Sequence, residues 1–258
     1  MDTVFRVFLA TVVGLCVGSF LTVVVDRVPR KESVVSPRSR CPTCATQIRP
    51  VDNVPVVSWL LLRGHCRACG ARISPMYPLV ELSTAALFVG AALTFDDVWL
   101  DVLLAPVLGM MPAVALMDWR HKIIPNRLMY PSLVAAPVLI AAAWAAGGGV
   151  DVTGAALGLL AYGGGFFIMS LISPRGMGMG DVKLGALIGL VLGAVGFEYV
   201  AVAMGVAVLA GGLVSIGALL TGRGRKHAIP FGPFMVLGAV GATFLAPQIA
   251  DLYLRTVT

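Results

Sequence analysis

Two aspartates stand beside long apolar segments, where a charged side chain is costly. Asp118 follows the apolar residues 98–117, and Asp181 precedes the apolar residues 182–196. Ionisable groups at membrane depth are rare and are functional candidates by default. Two carboxylates held close together cannot both ionise easily, so they share one proton. One can take a proton from water while the other donates to a peptide carbonyl, which is the chemistry of aspartyl proteolysis.

Each aspartate also has a structural explanation when it is taken alone. Asp118 could be an interfacial carboxylate near the basic residues that follow it, and Asp181 could cap the N-terminus of a helix. Both explanations weaken together, because the two residues lie at the same predicted depth on the same side. Gly178 and Gly180 would let the backbone and a substrate strand approach Asp181. We therefore predict that Asp118 and Asp181 form a catalytic pair supported by this glycine loop.

Four cysteines form a second chemical pattern. Cys41-Pro-Thr-Cys44 and Cys66-Arg-Ala-Cys69 are separated by 21 residues. Each pair can act as a two-thiolate knuckle, and four thiolates make a tetrahedral zinc site without an open position for water. Such a zinc site would be structural, because the insert is too small for a good hydrophobic core. Redox-active pairs or disulfides are the alternatives, and a cytoplasmic location favours thiolates.

The segments that must position these residues are apolar. Of 258 residues, 58% are hydrophobic and 12% are charged, and the mean hydropathy is +0.92. This composition excludes an ordinary soluble enzyme, a disordered chain and a disulfide-rich secreted domain. At about 20 residues per membrane helix, eight stretches can be placed, at 4–25, 79–95, 98–117, 128–146, 152–172, 182–196, 199–220 and 231–254.

The predicted fold is an all-α polytopic membrane protein with about eight transmembrane helices. A first transmembrane helix at 1–25 precedes a four-cysteine zinc-binding domain at 26–78, and a seven-helix membrane peptidase domain covers 79–258. The first stretch is expected to be a retained helix. Its apolar run is too long for a typical signal peptide, and no small-residue cleavage site follows it.

Basic residues predict the orientation of the chain. Seventeen of the 19 Lys and Arg residues fall at 26–78, at 118–127, at 173–181 with Lys183 at its edge, and at 221–230. Because Lys and Arg are in excess on the cytoplasmic side of membrane helices, these loops are predicted to be cytoplasmic and both termini to lie outside. Orientation alone accounts for the net charge of +6, so the lipid bilayer is an expected partner and nucleic acid is not.

The motifs together resemble those of the type IV prepilin peptidases, a family of Gly-x-Gly-Asp membrane aspartyl proteases. The resemblance runs nearly end to end. It implies that Asp118 and Asp181 are catalytic, that the four cysteines bind zinc, and that the chain cuts the basic leader from prepilins and pseudopilins at the bacterial inner membrane. The main matching segments are 178–181, Asp118 with Pro125-Asn126, the cysteine pairs, 18–21, 52–59, 77–81 and Ile229-Pro-Phe-Gly-Pro-Phe234.

The same resemblance implies a second activity. Many family members methylate the new N-terminus with S-adenosylmethionine, and the complete cysteine domain resembles the two-activity form. The chain has no Gly-x-Gly-x-x-Gly after a strand, so a Rossmann methyltransferase is not expected. Glu81, Asp52 and Asn53 are the residues predicted for methyl transfer. For Glu81 the alternative is a simple pairing with a nearby arginine.

Three other functions stay open at this level. A transporter whose two aspartates relay protons would need polar residues near the bilayer midplane, and the span interiors show almost none. A protease without methyltransferase activity is the second alternative. A non-catalytic membrane assembly factor with a zinc-binding head is the third.

Overall fold

The structure is a computed structural model, and it describes residues 2–173, 176–220 and 230–257. Over these residues the fold is all-helical, as predicted, and the only β-pairing is two isolated bridges in the insert. A 3-10 helix occupies Pro50–Asn53, and a π-helix occupies Leu159–Gly164. The α-helices are α1 Thr3–Arg27, α2 Val57–Leu61, α3 Met76–Thr94, α4 Val98–His121, α5 Asn126–Ala145, α6 Val152–Gly158, α7 Gly165–Ile172, α8 Met179–Gly193, α9 Phe197–Leu220 and α10 Gly232–Val257.

Seven helical segments of the described chain are long and apolar enough to cross a membrane, so the chain is a multi-pass membrane protein. The predicted stretch 182–196 corresponds to α8, which has 15 residues. At 1.5 Å per residue, α8 is about 22 Å long, less than the hydrocarbon core of about 30 Å. The spanning segments are Thr3–Arg27, Met76–Thr94, Val98–His121, Asn126–Ala145, Val152–Ile172, Phe197–Ala218 and Gly232–Ile249.

The end of α4 determines how Asp118 is held. The third apolar stretch was predicted to end at residue 117, with Asp118 at the C-terminus of that helix. Helix α4 extends past Met117 to His121, and its C-cap is Lys122, whose φ of 54° is left-handed. The polar residues after Met117 therefore form the last turn of α4, and Asp118 is held by helical backbone.

The chain divides into two compact units, the first of which comprises Met1–Leu93 and Gly109–Ala113. Helices α1 and α3 pack closely in this unit because α1 presents glycines. A Cβ atom added at Gly14 would lie 2.7 Å from Ala85 Cα, and one added at Gly18 would lie 2.7 Å from Glu81 Cα. Small residues at such positions let membrane helices approach backbone to backbone.

The second unit comprises Thr94–Leu108 and Val114–Thr258. Nearly every residue of α8 from Val182 onward is buried. Added Cβ atoms at Gly189 and Gly193 would collide with the carbonyl oxygens of Gly158 and Gly154 on α6. These glycines therefore bring α6 and α8 into backbone contact.

Candidate active site and metal site

The carboxylate of Asp118 is buried in the second unit, where it is 6% exposed. Its Oδ2 accepts a hydrogen bond of 2.8 Å from the backbone N–H of Gly232, the first residue of α10. A Cβ atom added at Gly232 would lie 2.6 Å from the same oxygen. Glycine is therefore the residue that lets the start of α10 approach this carboxylate.

Asp181 is the third residue of α8, and the backbone at the start of that helix contacts its carboxylate. Gly178 is the N-cap of α8, and its N–H donates a hydrogen bond of 3.0 Å to Asp181 Oδ2. Asp181 is thus not the N-cap residue but the acidic partner that reaches back to it, as in a capping box. Asp118 and Asp181 interact electrostatically.

Two further contacts join the segments that carry the aspartates. A Cβ atom added at Gly180 would lie 3.0 Å from Ile124 Cβ. Lys183 Nζ donates to Asn126 Oδ1 at 2.8 Å and to Tyr130 Oη at 2.9 Å, and it lies 4.5 Å from the centre of the Tyr130 ring. The start of α8 is therefore attached to the start of α5, shortly after Asp118 in the chain.

The two glycines of the predicted loop differ in how tightly they are packed. A Cβ atom at Gly178 would lie 3.4 Å from Asp181 Oδ2, an ordinary contact, whereas the contact made at Gly180 is tighter. Neither glycine has a positive φ angle, so close approach rather than left-handed backbone is what they supply.

Aromatic side chains fix the backbone on which Asp118 depends. The ring of Phe231 lies 5.6 Å from that of Phe166 and 6.0 Å from that of Phe234. Phe231 immediately precedes Gly232, so this packing holds the donor to Asp118 in place. Ile229 of the quoted motif, the rest of the basic loop 221–228, and residues 174 and 175 lie outside the described residues.

The four predicted ligand cysteines converge in the first unit. Their sulfur atoms all lie within 4.8 Å of one another, and the Sγ atoms of Cys41 and Cys69 are 3.9 Å apart. Tetrahedral ligation with Zn–S bonds near 2.3 Å places sulfur atoms about 3.8 Å apart. The donor set therefore fits a tetrahedral metal ion, and all five cysteines are free thiols rather than disulfides.

The two knuckles have the same backbone design. In each, the N–H of the first cysteine donates to the carbonyl five residues later, at 2.9 and 2.8 Å. The residue after the second cysteine donates back to the first cysteine at 2.9 Å in both turns. That residue is Ala45 in one knuckle, with φ of 57°, and Gly70 in the other, with φ of 69°.

The residues predicted for methyl transfer have three different surroundings. Arg67, inside the second knuckle, makes three hydrogen bonds of 2.7–3.1 Å to Asp52, and its guanidinium holds the pKa of that carboxyl below its usual value. Glu81 is 7% exposed and accepts a 2.7 Å hydrogen bond from Val56 N–H, and none of the arginines that the structure describes forms an ion pair with it. The Asn53 side chain makes no hydrogen bond within the described part of the chain.

Sequence reasoning did not identify Gly232, Lys183 and Tyr130 as parts of the site. Gly232 lies within the quoted motif of residues 229–234, and Lys183 lies two residues after Asp181. Their places in these motifs could have marked Gly232 and Lys183 as candidates. Their contact partners could not be predicted, because Gly232 and Asp118 are 114 residues apart in the chain. Lys183 and Asn126 are 57 residues apart.

Comparisons with known proteins cover both units. Residues 12–95 match the bacterial peptidase A24 N-terminal domain, and residues 107–216 match the type IV leader peptidase family. The first match contains the four cysteines, and the second contains both aspartates.

Three curated relatives match over nearly their whole length. A prepilin leader peptidase/N-methyltransferase of Bacillus subtilis (strain 168) is 36% identical, over 94% of this chain and 95% of the relative. A type 4 prepilin-like proteins leader peptide-processing enzyme of Escherichia coli O78:H11 is 35% identical, over 92% and 93%. A prepilin leader peptidase/N-methyltransferase of Dichelobacter nodosus is 32% identical, over 98% and 96%. No solved structure matches the chain. These matches contain both the aspartate pair and the four cysteines, and they show that the chain belongs to the type IV leader peptidase family.

Proposed function

We propose that this protein is a membrane aspartyl endopeptidase that removes the leader peptide from type IV prepilin-like proteins, with Asp118 and Asp181 as its catalytic pair. The observation that carries the proposal is that the start of α8, which bears Asp181, packs against Ile124, six residues after Asp118, while each carboxylate accepts a hydrogen bond from a glycine N–H. The substrate class is supported by the names of the relatives, which process prepilin or prepilin-like leaders.

The proposed reaction needs one carboxylate ionised and the other protonated. The ionised carboxylate takes a proton from water, and the resulting hydroxide attacks the scissile carbonyl carbon. The protonated carboxyl donates its proton to the carbonyl oxygen, so no covalent enzyme intermediate forms. Gly232 N–H on Asp118 and Gly178 N–H on Asp181 each fix one carboxylate oxygen, which limits the reorganisation needed during proton transfer.

Lys183 has a positioning role in this proposal. Its ammonium group binds Asn126 and Tyr130, and these contacts set where α8 begins relative to α5. Productive geometry in acid–base catalysis tolerates little displacement. Lys183 would therefore act through the placement of Asp181 rather than by contact with substrate.

The proposed orientation places the catalytic pair at the cytoplasmic face of the bacterial inner membrane, with both termini outside. The distribution of Lys and Arg supports this orientation. A substrate helix in the bilayer would then present its leader near the last turn of α4 and the first turn of α8.

We assign structural zinc to the four cysteines, because their spacing and sulfur separations fit tetrahedral zinc–thiolate geometry. Four thiolate ligands leave no open position, so the ion would stabilise the insert and take no part in peptide hydrolysis. We also propose a division of the chain into a first helix at 1–25, the cysteine-bearing domain at 26–78 and the membrane peptidase domain at 79–258.

We propose N-methylation of the mature N-terminus as a second activity, with S-adenosylmethionine as the methyl donor. It is supported by the names of two of the relatives described above, both of which are called leader peptidase/N-methyltransferase. Asp52, Asn53 and Glu81 stay a prediction for this activity. Asp52 and Glu81 already serve the fold of the insert, through Arg67 and Val56 respectively.

Mass spectrometry of a co-expressed prepilin tests both activities in one sample. The proposal predicts a product that has lost its leader and that carries the added mass of one methyl group. A cleaved but unmethylated product would support the peptidase assignment and contradict the proposed methyltransferase activity. An intact prepilin would favour the transporter or assembly-factor alternatives.

A further inference from the structure

The first unit contains a pocket of about 330 Å³ between the end of α1 and the chain on both sides of the first knuckle. Its polar lining residues are Arg27, Arg38, Ser39, Gln47 and Asn53. All five side chains carry groups that can donate hydrogen bonds. None of the lining residues is acidic, so the pocket combines two positive charges with neutral donors.

Arg27 is built into this pocket rather than extended into solvent. It is only 9% exposed, and its Nη1 donates a 2.9 Å hydrogen bond to the carbonyl oxygen of Ser33. That bond orients the guanidinium group but does not neutralise it, and within the described residues no carboxylate pairs with Arg27. A largely buried charge without a counter-ion is unfavourable, so the site is suited to an anion.

Arg38 supplies the second charge of the pocket lining. Its side chain is exposed, and it has neither an ion pair nor a hydrogen bond to any residue that the structure describes. The nearby Arg30 differs, because it pairs with Asp26 at 2.6 Å. The two lining arginines thus remain available for one external anion, while an adjacent arginine is already neutralised.

The position of the pocket identifies the source of the anion. Arg27 is the last residue of α1, a helix of membrane-spanning length and composition. Val23, one turn earlier on the same helix, also lines the pocket. The pocket therefore lies at the end of a membrane-spanning helix and extends one turn along it, and basic pockets at such positions bind the headgroups of anionic lipids.

We propose that this pocket binds the phosphate headgroup of an anionic phospholipid. The guanidinium groups of Arg27 and Arg38 match phosphate, which accepts hydrogen bonds from such planar donors. The pocket is unsuited to S-adenosylmethionine even though Asn53 lines it, because the sulfonium of that donor is positive and would face two guanidinium groups. The proposal does not depend on the peptidase assignment.

Native mass spectrometry of the full chain in detergent tests the proposal. The probes are dioleoyl phosphatidylglycerol and dioleoyl phosphatidylcholine, which share acyl chains but differ in net charge. Wild type is expected to retain phosphatidylglycerol preferentially, with about a fivefold contribution from each arginine. Arg38→Gln should lower that preference about fivefold, and Arg38→Lys should keep most of it.

Arg72→Gln is the matched control, because Arg72 is exposed, lies in the same insert and does not line the pocket. It should bind phosphatidylglycerol like wild type. Arg27→Gln, checked by thermal unfolding, should lower the preference about as much as Arg38→Gln.

Three outcomes would overturn the assignment. The first is equal retention of the two lipids by wild type, and the second is an equal loss in Arg72→Gln and Arg38→Gln. The third is displacement of the lipid by inorganic phosphate or S-adenosylmethionine at low concentration, which would assign the pocket to a soluble ligand.

Discussion

Replacing Gly232 with alanine tests whether Asp118 must stay where the backbone of α10 holds it. The added Cβ would lie 2.6 Å from Asp118 Oδ2, 3.0 Å from Cγ and 3.1 Å from Cβ. Ordinary van der Waals separation would require the carboxylate or the start of α10 to move by roughly 0.5–1 Å. The hydrogen bond from residue 232 would be strained or lost in either case.

A displacement of this size acts on catalysis more than on binding. Misplacing a reacting group by about 1 Å can cost about 10²-fold in rate. We therefore expect Gly232→Ala to lower kcat about 10²-fold while KM changes little, because Asp118 acts on the scissile bond and not on the remote parts of the substrate. The assay is cleavage of a purified prepilin by purified enzyme in detergent, over a range of substrate concentrations.

Gly241→Ala is the matched control in the same helix. A Cβ at Gly241 would meet nothing within 4 Å, so this variant should cleave at the wild-type rate. Thermal unfolding of both variants separates misplacement from misfolding. A folded Gly232→Ala enzyme with kcat within about threefold of wild type would refute the argument that Gly232 positions Asp118.

Three further predictions concern positioning, backbone strain and metal. Lys183→Met should lower kcat about tenfold, because the loss of the Lys183 hydrogen bonds to Asn126 and Tyr130 is expected to shift Asp181 by well under 1 Å. An unchanged kcat in a folded variant would contradict the positioning role of Lys183. Because residues 45 and 70 both have left-handed φ angles, Ala45→Gly should raise the free energy of unfolding of the insert by about 1 kcal/mol, and Gly70→Ala should lower it by a similar amount. Denaturant unfolding measures both changes, and effects of the opposite sign would contradict the strain argument. Zinc chelation should lower the unfolding temperature of the insert, and a variant with all four cysteines replaced that unfolds like wild type would contradict structural zinc.

The sequence was sufficient for features that depend on residue type and local spacing. Apolar runs predicted the all-helical membrane fold, and the break predicted between the stretches 182–196 and 199–220 corresponds to the break between α8, which ends at Gly193, and α9, which begins at Phe197. The Cys-x-x-Cys pairs predicted a four-sulfur cluster, because two short knuckles need only an ordinary loop between them to meet. Both results follow from patterns that neighbouring residues carry.

Features that depend on distant contacts could not be predicted in the same way. The hydrogen bond from Gly232 to Asp118 forms only once α4 and α10 have packed, and no periodicity reports that packing. The π-helix at Leu159–Gly164 lies inside a uniformly apolar run, so composition could not distinguish it from α-helix. Asp52 was a candidate for chemistry by its motif, whereas its contact with Arg67 became visible only in the folded insert.

The central claim is that Asp118 and Asp181 act as one catalytic pair, and single-turnover cleavage by purified aspartate variants tests it most directly. Asp118→Asn and Asp181→Asn keep the size of each side chain but remove the ionisable group. Asp26→Asn serves as the control, because Asp26 lies on the membrane-flanking end of α1 and forms an ion pair with Arg30. Each catalytic variant should lose about 10²–10⁴-fold in rate, the double variant should lose little more than either single one, and Asp26→Asn should cleave normally. Full cleavage by a folded Asp118→Asn or Asp181→Asn enzyme would contradict the account.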